Sequence, residues 1–84
     1  MSKKDKLIKR LKSQPKDFTF DEAETLLQML GYRRIEKGKT SGSRVMFRND
    51  KYGVILLHKP HPTNELKSYQ VKQILDILKT EELI

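Results

Sequence analysis

The sequence predicts an α+β fold, α-β-β-β-α in chain order, with two helices on one face of a three-stranded antiparallel sheet. Three observations carry this. Ala23, Leu26, Leu27 and Leu30 stand at i, i+3, i+4 and i+7, and so do Val71, Ile74, Leu75 and Leu78, the spacing of one helical face. Residues 43–48 alternate instead, with Val45 and Phe47 on one side and Arg44, Met46 and Arg48 on the other. The run Asn49-Asp50-Lys51-Tyr52-Gly53 then reads as a hairpin turn into a third strand.

The first helix of this pattern, about 20–30, has clear ends. Thr19-Phe20-Asp21-Glu22 has the form of a capping box: the Thr19 hydroxyl accepts from the Glu22 amide, and the Glu22 carboxylate reaches back to the Thr19 amide. Phe18 stands where a hydrophobic staple would, and Asp21 and Glu22 suit the positive end of the helix dipole. Gly31 is placed for a left-handed C-terminal cap. Tyr32 to Lys37 alternates less cleanly and is the weakest strand. Gly53 to His58 is apolar on both faces. Pro60 and Pro62 force the segment from His58 to Leu66 into a loop, and a last helix runs over about 68–80.

Residues 1–17 stand apart as a basic extension to a domain of residues 18–84. Lys3, Lys4, Lys6, Lys9, Arg10, Lys12 and Lys16 face only Asp5 and Asp17. Leu7, Ile8 and Leu11 form a weak helical stripe, and Pro15 would end it. The segment is either a tail or a docked extra helix.

Length and composition exclude several classes. The 84 residues suffice for one small domain. Without cysteine there is no disulfide framework, thiolate zinc site or cysteine nucleophile. The longest apolar run, Val54 to Leu57, is far too short to span a bilayer, and no signal-peptide core follows the basic start, so the expectation is a soluble, cytoplasmic protein. The net charge of +7 favours a polyanionic partner: RNA or DNA first, an acidic protein second.

Chemistry-bearing residues cluster in two places. Ser43, Arg44 and Arg48 lie in or beside the second strand, with Arg44 and Arg48 sharing a face; Lys39, Lys59 and Lys67 lie in loops that border it. These six form a candidate phosphate-binding set, which would position a polynucleotide and carry little sequence information. His58 and His61 are the only histidines. They are too few for a firm zinc site, since no third ligand is evident beyond Glu65, so no metal or cofactor is expected.

The order and spacing of "LLQMLGY", "GSRVMFR", "HPTNELK" and "VKQILDIL" resemble a HicA-type toxin over roughly residues 19–80. The resemblance implies a small RNA-binding-like fold, of the architecture that double-stranded-RNA-binding domains also use. It implies cleavage of messenger RNA and a HicB-type antitoxin that covers the toxin's active face. It also implies a catalytic histidine in a Gly-Ser-His motif on the second strand, where this chain reads Gly42-Ser43-Arg44. The link from Gly31 to Gly42 is longer than usual, and the basic extension precedes the usual start.

Arginine is always protonated and offers no acceptor, so Arg44 is not a general base; its fork suits a phosphate or the charge on a pentacoordinate phosphorus. Histidine, with an ordinary pKa near 6.5, suits both acid and base roles. The candidates for a relocated catalytic group are therefore His61, which matches the family's His-Pro in the loop, and His58. Three functions compete: a toxin that cleaves RNA, a non-catalytic RNA-binding module, and a protein-interaction domain that uses its open sheet face. For the last, Val54, Ile55, Leu56 and Leu57 place apolar side chains on both faces, so that two of them would stand exposed next to Met46 as an apolar patch. Candidates to cover it are the segment with Leu7, Ile8 and Leu11, an antitoxin, or a second copy of the chain.

Overall fold

The elements in chain order are α1 (Lys3–Lys12), α2 (Phe20–Met29), β1 (Arg33–Ile35), β2 (Arg44–Asn49), β3 (Gly53–His58) and α3 (Ser68–Thr80). The computed structural model describes residues 2–35, 44–60 and 63–84, with Arg44 described by its backbone alone. The sheet is antiparallel in the order β1-β2-β3, and Val45, Phe47, Ile55 and Leu57 on one of its faces share a core with α2 and α3, as the patterning predicts.

α2 begins and ends as its sequence signals require. Thr19 Oγ1 accepts from the Glu22 amide at 3.1 Å, and Glu22 Oε1 accepts from the Thr19 amide at 3.1 Å. At the other end Gly31 takes φ +96°, which lets the Tyr32 amide reach the Leu27 carbonyl (2.9 Å) and the Gly31 amide reach Gln28 (3.1 Å). That pair of bonds is a Schellman closure, and a β-carbon at Gly31 would also stand 3.1 Å from Asn49 Nδ2.

Segment 1–17 is a docked helix, not a tail. Ser2 caps α1 by accepting from the Asp5 amide, and the chain turns away at Gln14 (φ 49°) just before Pro15. Leu7 and Leu11 enter the same core as Phe18, Phe20 and Leu26, with Leu11 fully buried. α1 packs on α2 and α3, so it covers helices and not the sheet's outer face. Arg10 holds this placement through an ion pair to Glu22 at 2.6 Å.

Asn49 pairs with Gly53, leaving Asp50-Lys51-Tyr52 as a three-residue hairpin loop. The Asn49 Oδ1 accepts from the amides of Lys51 (2.8 Å) and Tyr52 (3.2 Å), and its Nδ2 donates to the Leu30 carbonyl (3.3 Å), tying the turn to the end of α2. On the far side, an isolated bridge pairs Thr19 with Glu65. It is framed by hydrogen bonds from Phe20 N to Asn64 O (2.7 Å) and from Leu66 N to Phe18 O (2.8 Å). This bridge anchors the proline-bearing loop where it enters α3.

Candidate nucleic-acid interface

Register decides which side chains share the open face of the sheet, because partners directly opposite in a ladder lie on the same side. Arg34, Phe47 and Ile55 form an inner row: Phe47 and Ile55 are buried, and Arg34 Nη1 donates to Glu24 of α2 at 2.9 Å. The flanking rows therefore face away from the helices. One is Arg33, Arg48 and Val54; the next is Ile35, Met46 and Leu56; beyond them position 44 is opposite His58.

The outer face thus has cations at one end, an aliphatic middle, and position 44 with His58 at the other. Four residue steps along β2 separate Arg48 from position 44, about 13 Å of strand. Val54 and Leu56 are half exposed, at 51% and 54%, which is the predicted apolar patch. A shallow depression at the hairpin end is lined by Ile35, Met46, Arg48, Asn49, Asp50, Gly53 and Val54. The outward residues that the structure describes are cationic, imidazole or apolar, with no Phe, Tyr or Trp among them. Such a face can hold phosphates, and His58 and the arginine planes are its only described groups on which a base can stack.

The candidate residues fare differently. Arg48 is exposed on this face, and His58 is exposed at its far end. Lys39, Ser43 and His61 lie outside the described residues. Lys59 and Lys67 are exposed at the end of β3 and the start of α3. The Lys59 ammonium stands 5.9 Å from the centre of the Phe20 ring, toward the N-terminal end of α2. Among the described residues no three histidine, aspartate or glutamate side chains converge as a metal site, and no helix is long and apolar enough to cross a membrane.

Two residues of this region escape a reading of the sequence. Arg33 is in register with Arg48, adding a second arginine to that row, where Asp50 lies 3.6 Å from it. The signal was the Arg-Arg-Ile parity, but a three-residue strand has no face until it pairs. Gln70 is 4% exposed, and both ends of its amide are used: Nε2 donates to the His58 carbonyl (3.0 Å), and Oε1 accepts from the Lys67 amide (3.0 Å). It fixes the end of β3, and hence the backbone of His58, against the start of α3. A glutamine in the third helical position was its only trace in the sequence.

A family model described as the HicA toxin of bacterial toxin–antitoxin systems matches residues 20–80. No curated protein and no solved structure matches the chain.

Proposed function

The chain belongs to the HicA toxin family of bacterial toxin–antitoxin systems, and from that premise we propose that it is a cytoplasmic, metal-independent ribonuclease held in check by a HicB-type antitoxin. The observation that carries the catalytic reading is the pairing of position 44 with His58. Residue 44 is an arginine where the family resemblance implies a histidine, and an arginine accepts no proton. Its cross-strand partner supplies an imidazole, with Cα atoms of such pairs about 4.5–5.5 Å apart.

In this reading His58 takes the proton of a ribose 2′-hydroxyl. The 2′-oxygen attacks the adjacent phosphorus, the bond to the 5′-oxygen breaks, and a 2′,3′-cyclic phosphate forms. A protonated group, His61 or the imidazolium just formed, returns a proton to the leaving oxygen. Arg44, Arg48 and Arg33 hold the phosphates, with Ser43, Lys39 and Lys67 as further contacts, and Arg44 stabilises the charge on phosphorus; Lys59, over the Phe20 ring on the helix side, stands apart from this set. The antitoxin covers Val54 and Leu56, which supply apolar contact area at the centre of the same face.

Incubation with RNA in the presence of a chelator tests this. The wild-type chain should cleave, and His58→Ala should slow cleavage by about 10²-fold or more, the usual worth of a general base. Full activity in His58→Ala, His61→Ala sinks the relocated base. The arginine at position 44 also favours a second reading, an RNA-binding relative without activity; binding without cleavage by the wild type decides for it.

A further inference from the structure

Most of the charge excess of this protein is not on the sheet. Residues 1–17 hold seven Lys and Arg against two Asp, a net of +5; residues 18–84 hold eleven against nine, a net of +2. The sheet arginines are partly neutralised, Arg33 by Asp50 at 3.6 Å and Arg34 by Glu24 at 2.9 Å. In the N-terminal segment Arg10 is engaged with Asp17 and Glu22. Lys3, Lys4, Lys6, Lys9, Lys12 and Lys16 are all exposed, and among the described residues none of them joins an ion pair.

Helical geometry gathers these charges. Leu7 and Leu11 point into the core, and at 3.6 residues per turn Lys9 falls on the opposite side of α1, with Lys6 and Lys12 flanking it. Lys6/Lys9 and Lys9/Lys12 are surface neighbours at i, i+3; Lys9 and Lys12 lie in the last turn, where the dipole favours a cation, and Asp5 is the one acid on the same side. Lys3 and Lys4 add charge of the wrong sign at the positive end of the dipole. Packing requires none of this, since Leu7, Leu11 and Arg10 anchor the helix. Insertion of α1 into a lipid surface is excluded by the same burial: its apolar side is already inside the core.

We propose that the Lys6–Lys9–Lys12 side of α1 is a second polyanion-binding surface, on the helical layer and separate from the outer sheet face, that captures the phosphate backbone of RNA. It rests on the reading of RNA as the ligand, but not on cleavage. α1 supplies sequence-independent affinity, and the outer sheet face acts on the strand so captured.

The test uses the full chain carrying K6Q, K9Q and K12Q, since glutamine keeps helix propensity and leaves Leu7 and Leu11 in place. Binding to a labelled single-stranded RNA is measured by fluorescence anisotropy over a series of salt concentrations, with circular dichroism to confirm folding. The slope of log affinity against log salt should fall by about 2, from about 0.7 per lost phosphate contact, and affinity at low salt by roughly tenfold or more. A companion K6R, K9R, K12R variant should keep the wild-type slope; if the triple glutamine variant folds poorly, the single variants K6Q, K9Q and K12Q replace it, each expected to lower the slope by about 0.7, and unchanged slopes in all three overturn the proposal. A folded glutamine variant with wild-type slope and affinity overturns it. Unchanged RNA binding with lost binding to polyglutamate also overturns it, and assigns α1 to an acidic protein. Wild type that binds RNA without cutting it leaves this surface standing while the ribonuclease reading fails; no RNA binding by the wild type overturns both.

Discussion

The Arg10 guanidinium donates from Nε to Glu22 Oε2 at 2.6 Å and from Nη2 to Oε1 at 3.3 Å, and Oε1 of that carboxylate also accepts the Thr19 amide that caps α2. One side chain therefore closes the start of α2 and docks α1 upon it. Burial works to raise the pKa of Glu22, but the hydrogen bonds from Arg10 and from the Thr19 amide outweigh it, and the net displacement is downward from the usual 4.5. A carboxylate depressed on folding contributes stability above its unfolded pKa, and that contribution is lost as pH falls through the folded value.

Glu22→Gln keeps the shape of the cap and removes the charge. Its melting temperature should lie below that of the wild type at neutral pH, and the gap should close as pH falls below about 4.5, where the wild-type carboxyl protonates too. A gap that stays constant down to acid pH would show that the ion pair contributes nothing.

α1 is part of the core, so damage to it is felt globally. Leu11 is fully buried, and Leu11→Ala should cost about 2–5 kcal/mol in denaturant unfolding, a large share of what a small domain has. Deleting residues 2–17 should likewise lower the melting temperature, because it uncovers part of α2 and α3. A truncated protein that melts with the full chain would contradict the packing of α1 described above.

Val54 and Leu56 are exposed, and exchanging them for serine should alter stability by no more than about 0.5 kcal/mol. If an antitoxin covers this face, the same V54S, L56S change should weaken the toxin–antitoxin complex by about tenfold or more, ~1.4 kcal/mol, in calorimetry. Equal affinity for both proteins would move the interface elsewhere.

Arg44→Lys keeps a charge and loses the planar fork, whereas Arg44→Ala loses both. Cleavage should decline in that order but stay faster than that of His58→Ala in both variants, because the base lies elsewhere. Cleavage by Arg44→Lys as slow as that by His58→Ala would take the base role away from His58.

The legible parts of this protein are those written in short stretches of chain. Thr19, Glu22 and Gly31 mark the ends of α2 because a cap needs partners only three or four residues away. Asn49 to Gly53 turns β2 into β3 because a hairpin turn contains its own hydrogen bonds. The period of two told Val45 and Phe47 from Met46 and Arg48, and the apolar Val54 to Leu57 run announced a strand with an exposed aliphatic face.

What tertiary structure alone decided depends on partners distant in sequence. The stripe Leu7, Ile8 and Leu11 was compatible with a tail, a cover for the sheet, or a docked helix; the ion pair of Arg10 with Glu22 and the burial of Leu11 among the helices chose the last. Arg33 acquired a face only when β1 paired with β2, since three residues have too little periodicity to declare one. Gln70 became a support of the His58 backbone only when α3 folded beside the end of β3. The pairing of position 44 with His58 likewise follows from strand register, which a fourteen-residue separation in sequence does not display. Caps and turns are satisfied by near neighbours and can be read from them, whereas faces, docking and cross-strand pairs are set by burial and register summed over the whole fold.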